Sequence, residues 1–295
     1  MNTRVRASGG RLFDISNTIF LSLIILITLY PIYYVLVASI SDPVSMMKHT
    51  GMLFWPKGFS LESYKHVFAY PMIPVGYTNT LFYVFVGTAV NVLLTTLAAY
   101  GLSRKNLMFS GYIMMIITFT MFFRGGLIPT YLLVERMGMV DNRWILIIWK
   151  AVQPWNLIIM RTGFAAIPDS LIESARIDGA SHFKVLWKIA VPVSKAIIAV
   201  MILFYGVYHW NAWFYSMVFL RTRVLYPLQL VMREILVAND TRYMTESFVS
   251  MDDKQTIAAT IKYATIIIST VPILCAYPFL QKYFIKGVMI GAIKG

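Results

Sequence analysis

The sequence predicts an all-α protein that crosses a membrane six times, and three observations support this fold class. Hydrophobic residues make up 58% of the 295 residues and charged residues only 13%, with a mean hydropathy of +0.67. Charge-free runs recur along the chain at roughly the 20-residue length that an α-helix needs to cross a bilayer. The basic residues of this +13 chain lie at the ends of these runs, so a nucleic-acid partner is not expected.

The apolar runs define six spans, which we expect to form a single transmembrane domain over 1–295. The fourth run is interrupted by Lys150. We nevertheless expect one continuous helix there, in which Lys150 lies about 10 Å from Arg143 at a rise of roughly 1.5 Å per residue. The predicted spans are 14–40, 76–101, 107–128, 143–161, 189–219 and 259–282.

The distribution of basic residues between the two sides favours cytoplasmic termini. The tails and loops on the side of the termini contain 12 Lys and Arg in 63 residues, against 11 in 96 residues on the other side. Loops that stay in the cytoplasm carry an excess of Lys and Arg. With six crossings, both termini are therefore predicted to be cytoplasmic.

A polar segment at 168–188 lies between two apolar runs and predicts a helical hairpin. Ser170 and Glu173 fit a capping box, which places the start of the first helix at about residue 171. Gly179 supplies a left-handed stop, and Ser181 is suited to cap a second short helix. Taken alone, these features have a purely structural explanation, in which Glu173 only caps its own helix and Gly179 only ends it.

Residues 172–180, followed by 189–192, resemble the EAA loop of ABC-importer permeases. Ser174 replaces the first alanine of that motif, and Val191 replaces its leucine. The resemblance implies a six-helix permease core whose cytoplasmic coupling hairpin enters a cleft on an ATPase subunit, so that closure of the ATPase dimer moves the membrane helices. It implies an ATPase-coupling role for Glu173, Ser174, Ala175, Asp178, Gly179, Ala180 and Phe183.

Other parts of the chain are similar to the carbohydrate-importer permeases related to the maltose system, above all to the branch that imports fragments of plant and algal polysaccharides. Arg124 and Ala196 depart from the pattern of that family. The segments that carry the similarity are 123–131, 156–162, 209–214, 226–230 and 287–295.

This resemblance implies a permease subunit that forms half of a sugar path in a bacterial cytoplasmic membrane. The partners implied are a second homologous permease, an ATPase dimer, an extracellular solute-binding protein, membrane lipid and an oligosaccharide. ATP and magnesium would be used by the ATPase dimer, and no cofactor is expected on this chain.

The expected sugar path combines aromatic faces with amide groups, because sugars present apolar C–H patches surrounded by hydroxyls. The aromatic residues also fit an interfacial belt, whereas amides that face lipid are costly and usually turn inward. The candidate residues are Asn79, Lys150, Gln153, Trp155, Asn156, Trp210, Asn211 and Trp213.

Three cations, Lys150, Arg124 and Lys262, fall in the predicted outer half of the spans. One interpretation is that they extend toward the headgroups and carry no further role. The other is that they make the outward cavity positive and attract an acidic oligosaccharide, such as one that contains uronates.

The sequence leaves two rival functions open. An ABC-importer permease for a peptide, an amino acid or phosphate would share the hairpin but not the sugar-branch segments. A membrane-embedded enzyme would need paired acids or a histidine cluster, but the chain has four separated histidines and no acid deep within a predicted span.

The chain contains no G-x-x-x-x-G-K-[ST] loop, so ATP hydrolysis is not expected of it. It has only one cysteine, so a cysteine-based metal site is not expected either.

Overall fold

The computed structural model of the chain describes residues 8–237, 260–275 and 278. The predicted end of the sixth span and the similar segment 287–295 lie outside these residues. The described part is helical and contains no strand. Its longer helices are α1 (Ser8–Ser39), α2 (Pro43–Met47), α3 (Glu62–Ala69), α4 (Met72–Leu102), α5 (Ser110–Phe122), α6 (Leu127–Arg136), α7 (Ile145–Ile148), α8 (Pro154–Ala165), α9 (Asp169–Ile177), α10 (His182–Val193), α11 (Lys195–Trp210), α12 (Phe214–Phe219), α13 (Leu228–Leu236) and α14 (Thr260–Cys275).

Two described helices, α1 and α4, are long and apolar enough to cross a membrane. The number rises to four if each of two bent helix pairs forms one span: α5 with α6, which meet at 113°, and α10 with α11, which meet at 86°. The shorter α14 is also apolar. No residue in the apolar window of α1 is buried on this chain, as expected of a helix that faces lipid or another subunit.

The described residues divide into two compact units, the first of which comprises 8–70, 235–237 and 260–271. In this unit the end of α1 packs on α2 and the loop that follows it. The rings of Tyr34 and Tyr263 lie 6.0 Å apart, and the Ser63 hydroxyl donates to Thr260 Oγ1 over 2.8 Å. The buried apolar residues here are Val37, Ala38, Met46 and Leu53.

The second unit comprises, among the described residues, 71–234, 272–275 and 278, and it contains the residues of both candidate sites. Here α4 packs against α8 and α11. One apolar core lies between these three helices and the hairpin, and a second surrounds α7 and α12. Their buried members include Ala99, Tyr100, Met160, Phe164, Ile172, Val185, Leu186, Met201 and Tyr205 in the first, and Tyr83, Ile145, Leu146, Ile147, Phe219 and Leu220 in the second.

The helix predicted at 143–161 is broken, so the predicted continuous helix is wrong. Helix α7 ends at Ile148 and α8 begins at Pro154, with no helix between them. Proline lacks an amide hydrogen and fits the first turn of a new helix better than the interior of an old one. Lys150 therefore lies in the break, and its distance from Arg143 does not follow from helical rise.

The third and fifth predicted spans are also interrupted. Helix α5 ends at Phe122, and Gly126, with φ +83°, starts the differently directed α6. The bend between α10 and α11 falls at Ser194. Pro192, two residues earlier, has no amide hydrogen for the helical bond, which is a common cause of sharp helix bends. Apolar residues resume after each interruption, and the predicted spans followed this composition across Arg124 and across Ser194 and Lys195.

The packing of α4 on α11 depends on a glycine. A methyl group on Gly87 would lie 2.5 Å from His209 Nε2, and three ring atoms of His209 would lie within 2.9 Å of it. The His209 side chain is fully buried, so it has little room to move. Gly87 therefore allows the two helices to approach each other with an imidazole between them.

The substitution Gly87→Ala should lower the free energy of unfolding by about 1–3 kcal/mol, because the added methyl overpacks a filled site. Thermal unfolding of the detergent-purified protein measures this effect. Gly101→Ala, on the same helix, is the matched control because no atom lies within 4 Å of the added methyl. Equal melting temperatures for the two variants would show that the contact between Gly87 and His209 is not restrictive.

Candidate functional site

The hairpin 168–188 begins with α9, which starts two residues earlier than predicted. Pro168 is the N-cap, and no side chain caps the helix, so the predicted capping box of Ser170 and Glu173 is wrong. Pro168 has an extended backbone with ψ 131° and cannot donate to a preceding turn, so the helix begins directly after it. Asp169 places a carboxylate in the first turn, where the helix dipole favours it.

The corner of the hairpin has the geometry that the sequence predicts. Gly179 has φ +77°, the left-handed conformation that costs glycine little. The Gly179 amide donates to Arg176 O over 3.0 Å and the Ala180 amide to Ala175 O over 2.9 Å, which is the bond pattern of a Schellman motif. The Ser181 hydroxyl then accepts from the Lys184 amide over 3.3 Å and caps α10.

The two faces of the hairpin differ in burial. Ile172, Val185 and Leu186 are buried in the core shared with α4 and α8. Ile177 is 86% exposed and Phe183 65% exposed. Of the predicted coupling residues, Ala175 and Ala180 are half-buried, and the exposed ones are Glu173, Ser174, Asp178, Gly179 and Phe183. Ile177, the most exposed large apolar residue of the hairpin, is not among the coupling residues that the sequence predicts.

Polar contacts fix the hairpin and α8 to the end of α4. The Arg161 guanidinium donates from Nε to Leu102 O over 2.8 Å, and Arg104 donates to Phe164 O over 3.0 Å. Lys105 and Asp169 form an ion pair at 2.6 Å. The hydrogen bond from Lys105 lowers the pKa of Asp169, and the same bond raises the pKa of Lys105. Both side chains are exposed, so this pair orients the hairpin more than it stabilises it.

A cavity of about 580 Å³ opens beside the break between α7 and α8; we call it the Lys150 cavity. Lys150 Nζ lies 4.7 Å from the ring centroid of Tyr215 and 5.8 Å from that of Tyr208, both within cation–π range. Three predicted path residues line this cavity. Its lining consists of Thr120, Met121, Arg124, Gly125, Gly126, Leu127, Thr130, Trp149, Lys150, Val152, Gln153, Pro154, Trp155, Phe214 and Tyr215.

Asn211 and Trp213 line a smaller cavity of about 280 Å³, whose lining also includes Tyr215. The Arg233 guanidinium lies 5.4 Å from the ring centroid of Trp213. Asn156 and Trp210 are buried and belong to neither lining. The structure thus brings five of the eight predicted path residues to two cavities that share Tyr215.

Asn79, the remaining predicted path residue, lines neither cavity and is hydrogen-bonded to the backbone. Its Nδ2 group donates to Val224 O over 2.6 Å and to Tyr226 O over 3.0 Å.

Tyr208 and Tyr215, which flank Lys150, are not among the predicted path residues. No sequence signal separates these two tyrosines from the other 16. Among the described residues, no group of three or more His, Cys, Asp or Glu is arranged to hold a metal ion.

No protein-family model matches the sequence, but similar proteins cover nearly all of it. The chain is 37% identical over 295 residues to Protein LplC of Bacillus subtilis (strain 168), covering 100% of this chain and 99% of the relative. It is 36% identical over 286 residues to the polygalacturonan/rhamnogalacturonan transport system permease protein YtcP of the same organism, covering 97% and 99%.

A solved structure is similar over the same length. A chain in the crystal structure of a bacterial ABC transporter involved in the import of the acidic polysaccharide alginate matches with a TM-score of 0.86 and 30% identity, over 96% of this chain and 100% of that chain. The fold and the relatives together define a permease subunit of an ABC transporter. The chain belongs to the family of carbohydrate ABC-importer permeases, which confirms the resemblance noted from the sequence.

Two isoleucines of α9 lie on different faces of the hairpin: Ile172 is buried in the core, and Ile177 is exposed at the surface. Ile172→Ala should lower the free energy of unfolding by about 2–4 kcal/mol, because it removes a buried side chain and leaves a cavity. Ile177→Ala makes the same chemical change at an exposed position and should alter unfolding little. Thermal unfolding of the two purified variants distinguishes these outcomes, and similar losses would contradict the assignment of the two faces.

Proposed function

We propose that this chain forms half of the translocation path of an ATP-driven importer for carboxylate-bearing oligosaccharides. The relative YtcP is a polygalacturonan/rhamnogalacturonan permease by name, and the similar solved structure belongs to an importer of the acidic polysaccharide alginate. Both of these sugars carry carboxylates. The observation within this chain that supports the proposal most strongly is the composition of the Lys150 cavity.

The Lys150 cavity offers hydrogen-bond donors and positive charge, with no carboxylate in its lining. Lys150 and Arg124 supply the charge. Within the described part of the chain, Trp149 Nε1 and Gln153 Nε2 are buried donors with no protein acceptor. Such donors are costly unless a ligand or water satisfies them. A uronate offers a negative charge and many acceptor oxygens, and the exposed face of Trp155 offers a flat surface for a sugar ring.

The proposed assembly uses the hairpin as the contact with an ATPase. Its outer face presents Ile177 and Phe183 beside Glu173 and Asp178, an apolar centre with charged edges like those of protein interfaces. We propose six spans with cytoplasmic termini in the bacterial inner membrane. The partners would be a second homologous permease, an ATPase dimer that hydrolyses ATP with magnesium, and an extracellular solute-binding protein.

The substitution Lys150→Gln tests the charge of the cavity. The KM for transport of an oligogalacturonide should rise about tenfold, equivalent to about 1.4 kcal/mol, because one charge-assisted contact is lost. Transport of the methyl-esterified oligomer of equal length should be unchanged. The KM is obtained from uptake in proteoliposomes that contain the complete importer, over a range of concentrations of the sugar-loaded binding protein.

The control for this experiment is Lys195→Gln, which removes the same charge at an exposed position outside the cavity. It should affect neither sugar. If Lys150→Gln reduces uptake of both sugars equally, the cavity does not select for carboxylates. Selective uptake of a peptide, an amino acid or phosphate by the unmodified importer would replace the sugar assignment.

Cysteine crosslinking tests the proposed contact and orientation. The only cysteine of the chain is Cys275, so Cys275→Ser provides a background without thiols. In that background Ala180→Cys should crosslink to the ATPase subunit, whereas Glu135→Cys, which is exposed in the proposed outer loop, should not. An impermeant thiol reagent should label Glu135→Cys from outside the cell. Capture of the ATPase from Glu135→Cys would reverse the proposed orientation.

A further inference from the structure

The break between α7 and α8 leaves backbone polar groups without helical partners. Residues 149–153 do not continue the helix, so the Lys150 and Ala151 carbonyls and the Gln153 amide need other partners. A lipid environment supplies none, and irregular backbone at membrane depth is tolerated only where protein or a water-filled cavity satisfies it. The partners present here determine where the segment lies, and with it Lys150.

Asn91 of α4 satisfies both carbonyls. Its Nδ2 group donates to Lys150 O and to Ala151 O, each over 3.0 Å, and the side chain is fully buried. These two bonds fix the orientation of the amide, because only the nitrogen can donate. The Asn91 Oδ1 atom therefore points the other way, toward His209.

His209 holds Asn91 in that orientation. His209 Nε2 lies 3.2 Å from Asn91 Oδ1, and since that oxygen can only accept, the hydrogen lies on Nε2. The imidazole occupies the space that Gly87 leaves open. The Tyr205 hydroxyl supports the end of the break by accepting from the Gln153 amide over 3.1 Å. Each orphaned group named above thus has a buried partner from α4 or α11.

We infer that Asn91, oriented by His209, is a positioning residue for Lys150 and so contributes to substrate selectivity. Asn91 does not line the Lys150 cavity and reaches the substrate only through the backbone of residues 150 and 151. Its two bonds hold this backbone where the Lys150 side chain extends over Tyr208 and Tyr215. The effect on selectivity rests on the proposed function, whereas the placement of residue 150 does not.

The chain contains a matched control for this inference. Asn79 also lies on α4, is also buried, and also donates to two carbonyls, those of Val224 and Tyr226. Loss of either asparagine leaves two carbonyls without a donor and should destabilise the fold to a similar degree. Of the two asparagines, Asn91 is bonded to the segment that carries Lys150 and Asn79 is not, so loss of Asn91 should change selectivity and loss of Asn79 should not.

The transport experiment compares Asn91→Leu with Asn79→Leu in the complete importer. Asn91→Leu should raise the ratio of the oligogalacturonide KM to the methyl-ester KM by about three- to tenfold, up to the change expected when the charge is lost. Asn79→Leu should leave this ratio unchanged. In a Lys150→Gln background, Asn91→Leu should add nothing to the ratio, because the two residues act on one contact.

His209→Phe provides a milder variant in case Asn91→Leu does not fold. It keeps a ring against Gly87 and removes the donor to Asn91, so the ratio should shift in the same direction by a smaller factor. Equal shifts for Asn91→Leu and Asn79→Leu would overturn the inference. An undiminished effect of Asn91→Leu in the Lys150→Gln background would overturn it as well.

A labelling experiment tests the placement of residue 150 without transport. In the Cys275→Ser background, Lys150→Cys is modified with a small water-soluble thiol reagent. Addition of Asn91→Leu should increase the modification rate several-fold, because the freed carbonyls turn toward water, and addition of Asn79→Leu should not. An unchanged rate with Asn91→Leu would reject the inference. If the rate rises but Lys150→Gln has no selective effect on uptake, the positioning stands and the proposed function fails.

Discussion

The requirement that every backbone polar group find a partner inside the protein determines the architecture of the second unit. Its helices are interrupted at three places, and a carbonyl or amide freed by such an interruption finds no partner in lipid. Two asparagines of α4 donate to backbone carbonyls of other segments: Asn91 to residues 150 and 151 in one of these breaks, and Asn79 to residues 224 and 226 in the connection between α12 and α13. Helix α4 therefore serves as the framework on which the irregular segments are held.

Irregular backbone is also what makes a binding cavity possible in this fold. A continuous helix over the predicted fourth span, 143–161, would direct its amides and carbonyls along its own axis and leave only side chains for a ligand. The break instead places Lys150, Gln153 and the first turn of α8 at one cavity. Discontinuous membrane helices commonly line substrate sites for this reason.

The sequence predicts the parts of the structure that depend on local chemistry. Gly179 and Ser181 form the expected corner because a left-handed residue and a cap need only their immediate neighbours. The start of α9 was wrong by two residues because Pro168 overrode a plausible capping box. Pro154 is a local signal for the start of α8, but the position of the segment before it could not be predicted, since its partner Asn91 is 59 residues from Lys150 and no local pattern joins them.

One short helix connects the two candidate sites. Helix α8 begins at Pro154 in the lining of the Lys150 cavity and ends at Ala165, four residues before α9. Its 12 residues span about 18 Å at 1.5 Å per residue. Arg161 and Arg104 fasten its carboxyl end to the end of α4. A displacement of the hairpin would therefore act on the cavity through a packed helix and the α4 framework. Both ends of this connection contact α4, so the position of Lys150 and the position of the hairpin depend on the same helix.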